Sequence, residues 1–235
     1  MIHSISNKKF SIIPIEDTKT SSIIGDLLHL PAELLWELLR NSCTDKSSMP
    51  IYCGEIEEFE FWPHWNGEGS YNKLLVEPDV FIRFEAFDLI IEAKRDDEKG
   101  QYKEQWENEF ISYFNNYPDD DRKVIMIAIG GSKDMNKLDL AIKSPEDTIV
   151  QVFKCNWLSV LIEVSNLLEE MRTIKYRDTN RSALNRILQD IIRGFNIHNL
   201  YYLKWLNELN KENFDIRESS IEVFKTNFRI SNAKQ

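Results

Sequence analysis

The chain has 235 residues, of which 42% are hydrophobic and 29% are charged, and its formal net charge is −10 at pH 7. This composition indicates a globular chain with a sizeable core and excludes a protein that binds nucleic acid through bulk positive charge, so a polyanionic partner would need a local basic surface. The three cysteines lie far apart without metal-ligand spacing, which excludes a disulfide framework and argues against a zinc site.

The N-terminal stretch MIHSISNKKFSIIPIEDTKT lacks the continuous apolar segment and the small-residue cleavage site of a secretory signal. No apolar run in the chain approaches the ~18 residues of a membrane-spanning helix. We therefore expect a cytoplasmic protein that makes no use of a membrane, and an irregular N-terminus.

The first predicted helix lies in LPAELLWELLRNSC, where Pro31 suits the first helical position. Its apolar stripe consists of Leu34, Leu35, Leu38 and Leu39. The next segment, EIEEFEFWP, alternates apolar residues imperfectly with glutamates and stops at Pro63. This pattern predicts a strand, at the edge of a sheet.

Two β-rich runs, PDVFIRF and FDLIIEAK, come next, and only Glu85 and Ala86 separate them, which is the spacing of a hairpin. The segment GQYKEQWENEFISYFNNY then carries aromatic residues at helical spacing, and RKVIMIAIGG is typical of a strand covered on both faces. TIVQVFKCNW is a further strand candidate. Three helix candidates complete the chain: LSVLIEVSNLLEEM, SALNRILQDIIRGF and LYYLKWLNELN. This order predicts an α/β fold with a mixed sheet.

The hairpin carries charges on segments that otherwise have the composition of buried strands. If its turn is centred between Glu85 and Ala86, Asp79 lies opposite Glu92, and the two Cβ atoms are ~5 Å apart. Like charges at this distance destabilise a sheet unless a positive charge lies between them. The register therefore predicts a cation at the Asp79–Glu92 pair, while the plainer alternative is a hairpin whose Glu92 and Lys94 are solvated edge charges.

Carboxylates that hold Mg²⁺ beside an ammonium group suit phosphodiester hydrolysis, because the metal polarises the phosphate and acidifies a water molecule. Alternation along the strand puts Glu92 and Lys94 on one face and the apolar residues on the other. Lys94 would either activate the water or stabilise the pentavalent phosphorus, and the sequence leaves both roles open. Asp88 shares the face of Glu92 but lies ~13 Å along the strand, too far for the same ion.

The pattern PDV followed by IIEAK resembles the signature of the PD-(D/E)xK nuclease superfamily. The resemblance implies a restriction-endonuclease-like αβββαβ core with a mixed sheet flanked by helices, which agrees with the predicted element order. It further implies that Asp79 and Glu92 bind Mg²⁺, with Mn²⁺ as a substitute, and that Lys94 is catalytic. The backbone carbonyl of Ala93 is implied as a further metal ligand.

Members of this superfamily often carry a glutamine on the helix after the signature strand, and KGQYKEQWENE supplies Gln101 and Gln105. Either could reach a phosphate or the water; we assign the water-orienting role to Gln105 and a nucleic-acid contact to Gln101. Many members add a glutamate from the first helix, for which Glu33 and Glu37 are candidates. The alternative is that these two are ordinary surface residues, with Glu37 pairing with Arg40.

Basic residues cluster later in the chain, in MRTIKYRDTNRSALNRILQDIIR. The candidates for contacts with a nucleic-acid backbone are Lys175, Arg177, Arg181 and Arg186; the alternative is a solvated helix face. We divide the chain into a nuclease-like core over residues 1–175 and a helical C-terminal extension over residues 176–235, packed on the same domain.

The sequence thus favours a Mg²⁺-dependent nuclease that hydrolyses DNA phosphodiester bonds, and the family resemblance suggests restriction or host defence. The expected substrate is double-stranded DNA, and the expected assembly is a homodimer or a subunit of a defence complex. A catalytically silent nuclease-like module that binds protein or nucleic acid is the alternative that the acidic composition favours. Cleavage of RNA or of an unusual end structure is a third hypothesis.

Overall fold

The structure is a computed structural model that describes residues 16–70, 75–95, 99–118, 121–142, 148–173 and 179–202. Of the predicted features, Lys175, Arg177 and most of the helix candidate LYYLKWLNELN lie outside the described residues.

The strands form two sheets. In chain order the described strands are β1 (Ile56–Phe61), β2 (Trp65–Asn66), β3 (Leu75–Val76), β4 (Val80–Phe84), β5 (Asp88–Ala93), β6 (Val124–Ile129), β7 (Leu138–Ile142) and β8 (Thr148–Cys155). The main sheet is six-stranded and mixed, with the order β1-β4-β5-β6-β8-β7, and β2 pairs with β3 separately. Strands β5, β6 and β8 run parallel, so their carboxyl ends lie at one edge of the sheet.

Helices cover both faces of the main sheet. The described helices are α1 (Glu16–Leu27), α2 (Ala32–Ser42), α3 (Lys103–Asn116), α4 (Trp157–Thr173) and α5 (Thr179–Ile197). Alternate residues of the strands pack into two separate cores, one shared with α1, α2, α4 and α5 and the other shared with α3. No helix in the described residues is long and apolar enough to cross a membrane.

The predicted α/β class with a mixed sheet is confirmed, and the predicted hairpin register is confirmed as well. The partners Val80↔Ile91 and Arg83↔Asp88 have numbers that add to 171, as the centred turn requires. Strand β1 lies at an edge of the main sheet, and every residue of β6 is buried, both as predicted. The register brings the ends of β4 and β5 together.

The structure adds four elements that the sequence analysis lacked, namely α1, β2, β3 and β7. Helix α1 occupies a stretch expected to be irregular, and its buried side includes the polar residues Lys19 and Thr20, so its apolar periodicity is weak. Helix α1 packs against α5. Such tertiary packing stabilises helices whose sequences have only a weak helical pattern. Strand β7 was also omitted, although Leu138, Leu140 and Ile142 alternate with less buried residues.

One smaller difference concerns the start of α2. Pro31 lies one residue before α2, as its N-terminal cap, and not at the first helical position. The predicted boundary between residues 175 and 176 falls between α4 and α5, and α5 packs on both α4 and α1.

Candidate functional site

Two acidic residues meet where β4 begins and β5 ends. Asp79 lies immediately before β4, and its Oδ2 accepts a hydrogen bond from the backbone N–H of Ala93 at 2.8 Å. Glu92 precedes Ala93 in β5, and the exposed fractions are only 8% for Asp79 and 2% for Glu92. The structure therefore buries both carboxylates at the same end of the hairpin.

Glu92 is the centre of a polar network. Its Oε1 accepts hydrogen bonds from Lys94 Nζ and, at 2.6 Å, from Gln105 Nε2 on α3. Its backbone carbonyl accepts a hydrogen bond from Gln101 Nε2 at 3.0 Å. The structure thus brings together the predicted residues Glu92, Lys94, Gln105 and Gln101, although Gln101 lies before α3 and not on it.

Burial and like charge perturb both carboxyl groups. Burial, followed by the proximity of Glu92, raises the pKa of Asp79 to about 7. Burial also raises the pKa of Glu92, although Lys94 opposes this shift. Burial alone would lower the pKa of Lys94, but Glu92, Glu16 and Asp79 raise it above its ordinary value. The lysine therefore remains an ammonium group near neutral pH.

Glu109 on α3 also belongs to this network, and sequence reasoning missed it. Its side chain is buried and hydrogen-bonded to that of Glu92, an arrangement that requires one proton between the two carboxyl groups. Burial and then Glu92 raise the pKa of Glu109 well above its ordinary value. Its Oε2 has no hydrogen-bond partner among the described residues. The available signal was its position four residues after Gln105, on the same helical face.

Helix α1 also contributes an acid to the cluster. Glu16, its first residue, has Oε1 3.2 Å from Lys94 Nζ, and its Oε2 accepts a hydrogen bond from the backbone N–H of Arg95 at 3.0 Å. Glu33 instead accepts a hydrogen bond from the backbone N–H of Gly54 at 3.2 Å. Glu37 lines a surface cavity between α2 and α4. In the described part of the chain neither predicted glutamate contacts the cluster, because α2 packs away from the carboxyl end of β5.

Asp88 is separate from this cluster, as the sequence predicted. Arg83 Nη2 lies 2.6 Å from Asp88 Oδ2, and the hydroxyl of Tyr113 donates to the same oxygen at 2.8 Å. Asp88 is fully buried, so its charge is compensated within the core.

A cavity of about 460 Å³ borders the network. Its walls are Leu75, Val76, Glu77, Gln105, Asn108 and Glu109. The side chains that line it include two that interact with Glu92, namely Gln105 and Glu109. At its rim, Glu77 Oε2 lies 2.7 Å from His64 Nε2.

The donor set at the hairpin suits a hard divalent cation. Asp79 and Glu92 supply carboxylate oxygens, the ligands that Mg²⁺ prefers, and Mg²⁺ commonly uses one or two protein carboxylates and keeps several waters. A cation between the two carboxylates would relieve the repulsion that raises the pKa of Asp79. Among the described residues, no group of three or more His, Cys, Asp or Glu side chains has the arrangement of a metal site. The two carboxylates that fit such an ion are those of Asp79 and Glu92.

The predicted nucleic-acid contacts are more dispersed. Arg181 donates a hydrogen bond to the backbone carbonyl of Met171, and Arg186 is exposed on α5. The side-chain amide of Gln101 accepts a hydrogen bond from Trp106 Nε1 at 2.7 Å and donates one to the backbone carbonyl of Glu92. Both ends of this amide therefore bond to the protein itself.

Comparisons with known proteins give little. No family model matches the chain, and no curated protein matches it. Among solved structures, an assembly of Thermococcus gammatolerans McrB AAA+ hexamers with bound McrC contains a chain that aligns at 12% identity and a TM-score of 0.26. The alignment covers 57% of this chain and 28% of that chain. A TM-score of this size supports no conclusion about fold or function.

Proposed function

We propose that this protein is a metal-dependent nuclease with a restriction-endonuclease-like core that hydrolyses phosphodiester bonds in DNA. The observation that carries the proposal is the meeting of Asp79, Glu92, Lys94 and Gln105 at one end of the β4–β5 hairpin. Buried acids beside an ammonium group are costly to hold together, and such exceptions to local rules are typical of functional sites.

Asp79 and Glu92 would hold Mg²⁺ or Mn²⁺, with the backbone carbonyl of Ala93 as a further oxygen ligand. When bound, the ion would polarise a phosphate oxygen and lower the pKa of a water molecule. The hydrogen bond from Ala93 N–H fixes one oxygen of Asp79, which keeps the carboxylate beside Glu92. The hairpin thereby holds both carboxylates in place for ion binding.

Lys94 and Gln105 have complementary roles in this proposal. Because its neighbours keep Lys94 protonated, the lysine stabilises negative charge that develops at phosphorus and does not remove a proton from water. Glu16 and Glu92 hold the Lys94 ammonium from two sides, which limits its positions. The amide of Gln105, fixed on Glu92, orients the attacking water.

The test is cleavage of supercoiled plasmid by the purified protein with Mg²⁺ or Mn²⁺. We expect nicked or linear product, its loss in EDTA, and a rate at least ~10²-fold lower for Lys94→Ala, the usual effect of removing a group that stabilises a transition state. Lys103→Ala is the matched control, because Lys103 is an exposed lysine on α3 that pairs with Glu107. Equal cleavage by wild type and Lys94→Ala would overturn the assignment.

A catalytically silent module of the same architecture, binding protein or nucleic acid in a larger assembly, is the second candidate. The absence of a three-ligand group among the described side chains and the net charge of −10 favour it. Titration calorimetry separates the two candidates: Mg²⁺ or Mn²⁺ uptake that Asp79→Asn abolishes supports the nuclease, and no uptake supports the silent module.

The substrate and assembly are further parts of the proposal. Labelled double-stranded DNA, single-stranded DNA, RNA and branched or frayed ends, offered side by side, test the preference for double-stranded DNA against the RNA and unusual-end hypotheses. Light scattering at two protein concentrations tests a homodimer. A role as a subunit of a defence complex would require a partner to co-purify with the tagged protein.

A further inference from the structure

A lysine lies in the same row of the sheet as Glu92. In the parallel part of the sheet Glu92 pairs with Ala128 of β6, and Ala128 pairs with Lys154 of β8. Paired residues of neighbouring strands point to the same face, and strands lie ~4.8 Å apart, so the Cα atoms of Glu92 and Lys154 are roughly 10 Å apart. Both side chains contact α3: Glu92 through Gln105, and Lys154 through Trp106.

Lys154 is unusually buried for its residue type. Its exposed fraction is 6%, and lysine is almost never buried to this extent without pairing. Its ammonium lies 5.5 Å from the centre of the Trp106 ring and 3.7 Å from Asp134 Oδ2. The distance to the carboxylate is long for an ion pair, and the Asp134 side chain is 65% exposed on the loop that follows β6.

Asp134 is held mainly by its own loop. Its Oδ1 accepts hydrogen bonds from the backbone N–H and from the side-chain amide of Asn136, at 3.0 and 2.7 Å. The backbone bond from Asn136 and then the charge of Lys154 lower the pKa of Asp134. The carboxylate is therefore an anion beside Lys154 that is stabilised by Asn136 as well as by the lysine.

We propose that Lys154 binds a backbone phosphate of the nucleic acid near the scissile one, and that this phosphate takes the place of the Asp134 carboxylate. The inference rests on the proposed nuclease function and adds a phosphate subsite to it. A separation of roughly 10 Å lies within the span of a few nucleotides of one DNA strand.

The subsite also compensates for the acidic cluster. Glu92 and Glu16 repel a polyanion, and Lys94 already pairs with both of them. The ammonium group of Lys154, at the same carboxyl ends of the parallel β-strands, supplies local positive charge for the nucleic-acid strand. Its contact goes to phosphate, so it positions the substrate and does not read its sequence.

The experiment measures duplex binding by fluorescence anisotropy from 50 to 300 mM KCl, with Ca²⁺ in place of Mg²⁺. One phosphate contact contributes ~0.9 to the slope of log K against log salt for a duplex and ~0.7 for a single strand. We expect Lys154→Met to reduce the slope by about that amount and to weaken binding by on the order of tenfold at 100 mM KCl. Lys123→Met is the control, because Lys123 is exposed just before β6, at the opposite edge of the sheet.

Asp134→Asn provides the opposite perturbation. It removes the competing carboxylate from an exposed side chain, so we expect binding to tighten by roughly two- to fivefold with the slope unchanged. If the pair is only structural, this variant lowers the melting temperature without tighter binding, and that result overturns the proposal. The prediction for Asp134→Asn stays decisive even where Lys154→Met does not fold.

The outcomes separate this inference from the proposed function. If the wild-type protein neither binds nor cleaves nucleic acid, both the proposed function and the phosphate subsite are wrong. A wild-type protein that binds and cleaves, together with an unchanged salt slope in folded Lys154→Met, removes the phosphate subsite alone.

Discussion

Asp79 Oδ2 and the backbone N–H of Ala93 form a hydrogen bond of 2.8 Å across the β4–β5 hairpin. This bond fixes an acidic side chain beside Glu92, at a position where burial and like charge both oppose ionisation. The strain of this arrangement is electrostatic, so it should respond to pH, to metal ions and to neutral substitutions.

Stability of the metal-free protein should fall as pH rises from about 4 to about 7. Unfolded Asp79 loses its proton near the ordinary value of 3.8, whereas folded Asp79 keeps it up to about 7. In this interval the folded state binds more protons, so the free energy of unfolding decreases with pH. Asp79→Asn should weaken this dependence and should be more stable than wild type at pH 8 in EDTA.

Thermal unfolding from pH 5 to pH 8 measures this effect, and the difference between wild type and Asp79→Asn isolates the contribution of the one residue. Addition of Mg²⁺ at pH 8 should stabilise the wild type by mass action but not the variant. A wild-type advantage over Asp79→Asn that grows with pH in EDTA would contradict the expectation.

Glu109→Gln should be nearly neutral at pH 6 and stabilising at pH 9. The raised pKa keeps Glu109 protonated near neutrality, and a glutamine can donate a hydrogen bond to Glu92 as the protonated acid does. Glu109→Ala should cost about 2 kcal/mol at pH 6, because it leaves a cavity and unpaired polar groups. Urea denaturation at both pH values compares the three proteins. Equal losses for the Gln and Ala variants at pH 6 would show that Glu109 is ionised there.

Asp88→Asn should reduce the free energy of unfolding by about 3 kcal/mol, because it removes the buried negative charge that pairs with Arg83 and accepts from Tyr113. The matched control is Asp190→Asn, which breaks an exposed ion pair with Arg193 and should cost less than ~0.5 kcal/mol. Denaturant titration gives both values, and Mg²⁺ uptake by the folded Asp88→Asn protein should equal that of wild type. Lost uptake in folded protein would place Asp88 in the ion site.

Gly131→Ala should impair both stability and cleavage. At its φ of +70° an added Cβ would lie 2.7 Å from Gln101 Cγ and 2.8 Å from Lys94 Cγ, so both side chains would have to move. Gly69→Ala is the control, since its φ is +78° but the nearest atom to an added Cβ is Ile111 Cγ2 at 3.8 Å. Both variants should lose ~1–2 kcal/mol from the left-handed backbone, and only Gly131→Ala should also slow plasmid cleavage. Equal cleavage rates would show that the position of Lys94 tolerates displacement.

The hairpin could be predicted from the sequence because its determinants are local. The alternation of apolar and charged residues and the length of the turn fix the register, and the register alone determines which side chains face each other. Asp79, Glu92 and Lys94 were named on this basis, and Gln105 was named from the family resemblance. The structure brings the four residues together.

Glu16 and Glu109 could not be predicted in this way. Glu16 reaches Lys94 across 78 positions of the chain, and no local pattern distinguishes it from Glu33 or Glu37. Glu109 resembles any other charged residue of an acidic helix until the packing of α3 on the sheet buries it. Lys154 likewise acquires its significance only from the strand order, which aligns it with Glu92 through Ala128.

The sequence by itself determined the α/β class, the hairpin and its register, because these depend on periodicity and on contacts between residues near one another in the chain. The tertiary structure alone decided which distant acid approaches Lys94, which carboxyl group is buried beside Glu92, and which lysine shares its row. Those outcomes depend on how helices and parallel strands pack, and packing joins residues whose separation in sequence carries no local signal.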